Sequence, residues 1–184
     1  VAGLIAIRDE IRSESREVIE KLHRMGVKVF ILTGDNETTA RAIAEELGVD
    51  DVRADLTPGD KIKSLIEIER RYGKTAMVGD GINDAPALAR ATVGIAMGGA
   101  GTDAAIEAAD TALMADDLNK VSFAITLGKK AWNISRQNII FSLLILAILI
   151  PSALTGIVSV AMAVLFHEAS ELIAVVNGLR VAKE

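Results

Sequence analysis

The sequence predicts an α/β domain built on a parallel sheet, followed by a two-helix hairpin able to span a membrane. Three observations carry that expectation. Over residues 1–117, short apolar runs alternate with amphipathic segments of helical period, the pattern of a doubly wound sheet with right-handed crossovers. One of those runs enters a glycine-rich turn, Val78-Gly79-Asp80-Gly81-Ile82-Asn83-Asp84-Ala85-Pro86, that presents carboxylates where open α/β sheets place ligands. Residues 139–166 then pass without a single charge, longer than the roughly 20 residues that a membrane helix needs. Of the 184 residues, 51% are hydrophobic and 24% charged, and most charges precede Arg136. That division places a soluble domain over residues 1–128 and the hairpin over 129–184.

Strands are expected at 2–7, 27–32, 52–54, 75–78, 93–96 and 111–114, and helices at 15–25, 38–47, 58–72, 85–91 and 102–108. In the first helix Val18, Ile19, Leu22 and Met25 recur at helical spacing, and Gly26 follows as a stop. Thr57 before Pro58 reads as an N-cap with proline at the first helical position. A single helix over the whole tail would overshoot the hydrocarbon core. Pro151 and the Thr155-Gly156 pair instead predict a break, giving helices at about 132–154 and 157–179. Lys129, Lys130 and Arg136 flank the first, and Arg180 and Lys183 follow the second. Both basic ends, and with them the soluble domain, are therefore expected on the cytoplasmic face of the cell membrane, with Trp132 near the interface.

Composition excludes several classes. A net charge of −5 without a basic cluster interleaved with aromatics argues against nucleic-acid binding. With no cysteine, disulfides, zinc–thiolate sites and thiol nucleophiles are ruled out within this sequence. No GxxxxGK[ST] loop is present, so the chain is not a P-loop NTPase. It opens at Val1 inside an apolar run, as a piece of a longer protein would.

The candidate site residues follow from chemistry. Asp80 and Asp84, with Asn83 between them, suit a hard cation such as Mg²⁺ that bridges to phosphate, although Gly, Asn and Asp also populate ordinary turns. Thr33-Gly34-Asp35-Asn36 ends the second strand. There a hydroxyl and backbone amides fit a phosphoryl group, and Asp35 or Asn36 equally fits a helix N-cap. Lys61 lies in the first turn of its helix, where the dipole disfavours a cation; it either points to solvent or neutralises phosphate and a neighbouring aspartate. No strand supplies a nucleophilic aspartate: Asp9 follows the first strand but sits in a charged Arg-Asp-Glu stretch. In the tail His167, Glu168 and Glu171 fall near the middle of an apolar helix, where charge marks an ion path or a binding site. An imidazole with carboxylates suits a borderline divalent ion better than copper(I). The alternatives are that these groups pair with other helices, or that the tail is an amphipathic surface helix. Asn177 adds a ligand or a cap.

With Thr33-Gly34-Asp35-Asn36, Pro58 through Lys61, Gly79 through Pro86 and a hairpin in this order, the chain resembles the carboxyl-terminal part of a P-type ATPase. The phosphorylation domain of that family is haloacid dehalogenase-like. Gly94-Ile95-Ala96-Met97-Gly98 and Ile106-Glu107-Ala108-Ala109-Asp110 fit it too, and a hairpin of two helices resembles the heavy-metal-transporting class. His167-Glu168-Ala169-Ser170-Glu171 is similar to the His-Glu-Gly-Ser-Thr type motif of zinc/cobalt-like members, departing at Ala169 and Glu171. The resemblance implies a partial haloacid dehalogenase-like (Rossmannoid) sheet and ATP-driven export of zinc, cobalt, cadmium or nickel through an aspartyl-phosphate. By the same resemblance Thr33 binds the phosphoryl oxygens, Gly34 and Asp35 shape that turn, and Lys61 stabilises phosphoryl charge. Asp80 ligates Mg²⁺, Asn83 and Asp84 complete that site, and His167, Glu168 and Glu171 hold the transported ion.

The family's Asp-Lys-Thr-Gly-Thr loop, ATP-binding domain, earlier membrane helices and Cys/Ser-Pro-Cys motif do not occur in this sequence. The nucleophile strand of the superfamily lies between those ending at Thr33 and Asp80, so two strand edges are expected to lack a partner. The expected partners are membrane lipid, a transition metal ion and the amino-terminal remainder of a pump, which would bind ATP. Two other readings are a membrane-tethered phosphatase of the same superfamily and a scaffold that has lost catalysis.

Overall fold

The computed structural model describes residues 11–98, 103–115 and 117–182; the strand expected at 2–7 lies outside them. The chain divides into two compact units, Val1–Ser122 and Phe123–Glu184.

In the first unit helices and strands alternate in the expected order. Helix α1 (Ser15–Arg24) buries Val18, Ile19 and Leu22 on one face. It ends where Gly26 adopts a φ of 74°, with the Val27 amide turned back to the Leu22 carbonyl at 3.0 Å, as in a left-handed C-terminal cap. Strand β1 (Phe30–Leu32) leads to α2 (Glu37–Leu47), capped by Asn36, and then to β2 (Asp51–Arg53). Helix α3 (Pro58–Tyr72) begins as predicted, with the Thr57 side chain accepting from the Asp60 amide and proline in the first turn. Strand β3 (Ala76–Gly79), a 3₁₀ turn (Ile82–Asp84), α4 (Ala85–Arg90), β4 (Val93–Met97), α5 (Asp103–Ala108) and β5 (Thr111–Leu113) complete the unit.

All strand pairs are parallel. Among the described residues they form two sheets, β1-β2 and β3-β4-β5. Among the described residues strands β1 and β3 each have a partner on one side only. β4 is the central strand of its sheet and is buried from Gly94 to Met97, reading as the continuous apolar run of a sheet covered on both faces. Met77, Ala87, Leu88, Ala96 and Ala105 form the core, with Leu32 of β1 and Ile62 of α3 packed against it. Small residues dominate because helices sit tight on the sheet: a Cβ at Gly94 would lie 2.6 Å from the Leu88 carbonyl oxygen.

Glu69 of α3 ties the far end of this sheet together. Its carboxylate accepts from the Thr92 hydroxyl (2.9 Å), the Thr92 amide (3.1 Å), the Thr75 hydroxyl (3.1 Å) and Arg90 (3.2 Å). The Thr92 hydroxyl bond is the leading reason its pKa falls below the ordinary 4.5, with Thr75 and Arg90 adding to it against the opposing effect of partial burial. A lowered folded-state pKa means stabilisation that is full above the ordinary value and lost as pH falls through the folded one. Glu69→Gln should therefore cost about 1–3 kcal/mol near neutral pH, with the deficit shrinking below pH 4.5. Thermal unfolding of the two forms across pH checks this; an equal deficit at acid and neutral pH contradicts it.

The second unit holds most of helix α6 (Asn119–Leu154), and α7 (Val160–Gly178) with a short 3₁₀ turn after it. Both helices are long and apolar enough to cross a membrane. Along them Ile139, Leu143, Leu144, Ile148 and Leu165 are exposed, as lipid-facing positions are. The first helix starts well before the expected residue 132: the Asp117 carboxylate receives the Asn119 amide at 2.9 Å and starts the helix there. Its expected end at residue 154 is observed, with Pro151 inside the last turn. Ser152 donates to the Ile148 carbonyl at 2.7 Å and Thr155 to the Pro151 carbonyl at 2.9 Å, and Gly156 turns the chain at a φ of 74°. The second helix starts at Val160 rather than 157, because Ser159 is its N-cap and accepts from the Met162 amide.

Candidate functional site

β1 runs out at Leu32 and delivers Thr33 to the loop. The Thr33 amide still bonds the Arg53 carbonyl of β2 (3.0 Å), and its own carbonyl accepts from Leu56 (3.0 Å). Its hydroxyl donates to the Asp35 carboxylate (2.8 Å) and accepts from the Asp35 amide (3.1 Å). Asn36, not Asp35, caps α2, its side chain accepting from the Thr39 amide at 3.0 Å. The two readings of this turn are thus divided between neighbours: Asn36 takes the cap, and Asp35 holds the Thr33 hydroxyl. Asp55 adopts a left-handed φ of 53°, a conformation Asp tolerates better than most residues. Its amide reaches the Asp35 carbonyl at 2.8 Å, which ties the loop before α3 to this turn.

Lys61, in the first turn of α3, points inward rather than to solvent. Its Nζ lies 2.6 Å from Asp84 Oδ1, with the two side chains only 14% and 15% exposed. A cation in the first turn opposes the helix dipole, and a part-buried carboxylate at this distance outweighs that term. Asp84 is held over Gly79, where a Cβ would sit 2.7 Å from the Asp84 Cβ. Asp80, at the end of β3, and Asn83, in the 3₁₀ turn, are exposed, and among the described residues neither has a side-chain partner. The site residues thus form two groups, Thr33 with Asp35 and Lys61 with Asp84, linked by the start of α3.

The donor set fits Mg²⁺, which takes one or two carboxylates and fills its remaining positions with phosphate oxygens and water. Asp80 offers both oxygens. Asp84 offers Oδ2, since only Oδ1 is engaged by Lys61.

In α7 the structure joins two of the three predicted ion ligands. His167 Nε2 lies 3.4 Å from Glu171 Oε1, as the four-residue spacing requires. His167 Nδ1 is buried without a hydrogen-bond partner, and Ser170 donates to the His167 carbonyl at 2.7 Å. Glu168, the next residue after His167, sits about 100° round the helix and is exposed. Among the described residues no three His, Cys, Asp or Glu side chains form a metal cluster. Asn177 is engaged elsewhere: its amide donates to Asn138 Oδ1 at 2.8 Å. Asn138 is the polar residue that sequence reasoning passed over; its signal was an amide beside Arg136, at the edge of the uncharged run.

The fold matches known proteins. A family profile described as haloacid dehalogenase-like hydrolase covers residues 1–92. The chain is 49% identical over 182 residues to a probable cadmium-transporting ATPase of Listeria monocytogenes, covering 98% of this chain and 26% of that protein. It is 46% identical over 183 residues to the zinc-transporting ATPase of Bacillus subtilis (strain 168), covering 100% of this chain and 29% of that protein. The crystal structure of a zinc-transporting PIB-type ATPase in its E2·Pi state superposes with a TM-score of 0.90 at 40% identity, over 95% of this chain and 28% of that one. The chain belongs to the haloacid dehalogenase-like hydrolase family. It spans about a quarter of the length of the metal-transporting relatives it matches, and its two apolar helices are long and apolar enough to cross a membrane.

Proposed function

We propose that this chain is the carboxyl-terminal part of an ATP-driven pump that exports divalent transition metals of the zinc, cobalt, cadmium or nickel type through an aspartyl-phosphate. The observation that carries this reading is the part-buried Lys61–Asp84 pair, its aspartate four residues on from the exposed Asp80, in a chain similar along its whole length to cadmium- and zinc-transporting ATPases. Lys61 supplies positive charge to the phosphoryl group and at the same time holds Asp84 in place. The Thr33 hydroxyl, preset by Asp35, donates to a phosphoryl oxygen once Asp35 releases it, and Gly34 keeps that approach open. Asp80 and Asp84 hold Mg²⁺, with Asn83 hydrogen-bonding at its rim. Bound there, the ion supplies charge neutralisation for the phosphoryl oxygens and fixes their orientation. The nucleophilic aspartate and the ATP-binding groups come from the remainder of the pump.

At the other end Glu171 orients the imidazole through Nε2, leaving Nδ1 as the ligand atom, the arrangement in which a carboxylate fixes the tautomer of a metal-binding histidine. Glu168 serves the ion on entry or release. The soluble unit and both ends of the chain face the cytoplasm, following the basic flanks Lys129, Lys130, Arg136 and Arg180.

Zinc-stimulated ATP turnover and phosphate-ester hydrolysis by the full-length protein test this reading. His167→Ala should abolish most of the zinc stimulation and leave ester hydrolysis unchanged. Asp80→Asn should lower both by about 10²-fold or more. Full zinc stimulation in His167→Ala would overturn the assignment of the tail and favour a tethered phosphatase. Trapping with radiolabelled ATP should label the full-length protein, whereas these 184 residues alone should take up no label.

A further inference from the structure

Three hydrogen bonds run in series at the basic end of the hairpin. Arg180 Nη1 donates to Asn177 Oδ1 at 2.9 Å, Asn177 Nδ2 to Asn138 Oδ1 at 2.8 Å, and Asn138 Nδ2 to the Ala174 carbonyl at 3.0 Å. The last two cross from one helix to the other. Both asparagines are half-buried, and each uses its carbonyl as an acceptor and its amide as a donor. In lipid, apolar side chains set no register between helices, because acyl chains are as apolar as leucine; polar contacts and close packing must do so. Sliding one helix past the other by a turn, about 5.4 Å, would break both cross-helix bonds at once.

The bonds lie on the face that carries His167. His167, Ser170, Ala174 and Asn177 recur at spacings of three and four on the more buried side of α7, and Ile134, Asn138, Phe141 and Ile145 do so on α6. Counting away from the Asn138–Ala174 bond along two antiparallel helices brings Ile145 level with His167. At that level α6 offers an apolar wall. The depth of His167 against α6 is therefore set from one end, by the asparagines.

We propose that Asn138 and Asn177 form a register-setting clasp that positions His167 and Glu171 for the transported ion, with Arg180 anchoring it at the membrane surface. The proposal rests on the reading of His167 and Glu171 as the ion site. Both asparagines are positioning residues, since neither touches the ion.

The test measures, in the full-length protein in liposomes, the zinc concentration giving half-maximal ATP turnover, together with kcat. Asn138→Leu and Asn177→Leu should each raise that concentration 5- to 10-fold at unchanged kcat, and the double variant should raise it no further than one alone. Asn177→Asp keeps the acceptor for Arg180 and loses the donor to Asn138, so it should match Asn177→Leu; as a polar, near-isosteric change it guards against misfolding. Wild-type zinc dependence in Asn177→Asp, multiplied effects in the double variant, or a change confined to kcat would each overturn the clasp. His167→Ala run alongside separates the two ideas. A shift there with none in the asparagine variants sinks the clasp alone. No shift in His167→Ala sinks the ion-site reading and the positioning claim with it.

Discussion

Lys61→Ala should lower the turnover of the full-length protein by about 10²–10³-fold, the range for removing one preorganised charge from a developing anion, and should also weaken the fold. The second effect follows from what the lysine leaves behind. Asp84, 15% exposed, would lose the partner now 2.6 Å away, and breaking one side of a largely buried pair costs roughly 3 kcal/mol. A double variant separates the two. Lys61→Met with Asp84→Asn removes both charges at nearly constant volume, so it should recover most of the lost stability and none of the turnover. Thermal unfolding read alongside ATP hydrolysis checks this. If Lys61→Ala unfolds at the wild-type temperature, the pair has no structural role. If the double variant regains turnover, Lys61 acts only as a strut.

Gly79→Ala should have the next largest effect, without any change of charge. The new methyl would arrive 2.7 Å from the Asp84 Cβ and 2.9 Å from its Oδ2, and the turn must move to admit it. Displacing a positioned carboxylate by about 1 Å is enough for a loss near 10²-fold. Gly128→Ala is the matched control, because a Cβ there meets nothing within 4 Å. In a helix interior that change should be neutral or stabilising by up to about 1 kcal/mol. Equal turnover in the two variants would show that Asp84 does not need its place over Gly79.

Where the chemistry of an element is local, reading the sequence sufficed. Thr57 and Pro58 start α3 at the predicted residue, because an N-cap and a proline are complete within four positions. The strand expected at 27–32 shrinks to Phe30–Leu32 for a reason no local pattern shows. The Val27 amide closes the end of α1, and the Val29 amide is taken by the Asp50 carboxylate at 2.8 Å. The early start of α6 was hidden likewise, since hydropathy marks where a helix meets lipid and not where it begins. At the site, the residue types were legible and their pairing was not. Lys61 and Asp84 stand 23 residues apart, and a lysine in a first turn gives no sign of which way it points. Asn138 and Asn177 are farther apart still, at 39 residues, and only the antiparallel return of the chain makes them neighbours.

Strands β1 and β3 carry a practical consequence for anyone handling these 184 residues alone. Among the described residues each leaves one edge of peptide groups without a strand partner, and such rims seek any extended chain of matching polarity. Expressed alone, the polypeptide should self-associate as its concentration rises, and a short β-prone peptide added in excess should slow that association by covering the same rims.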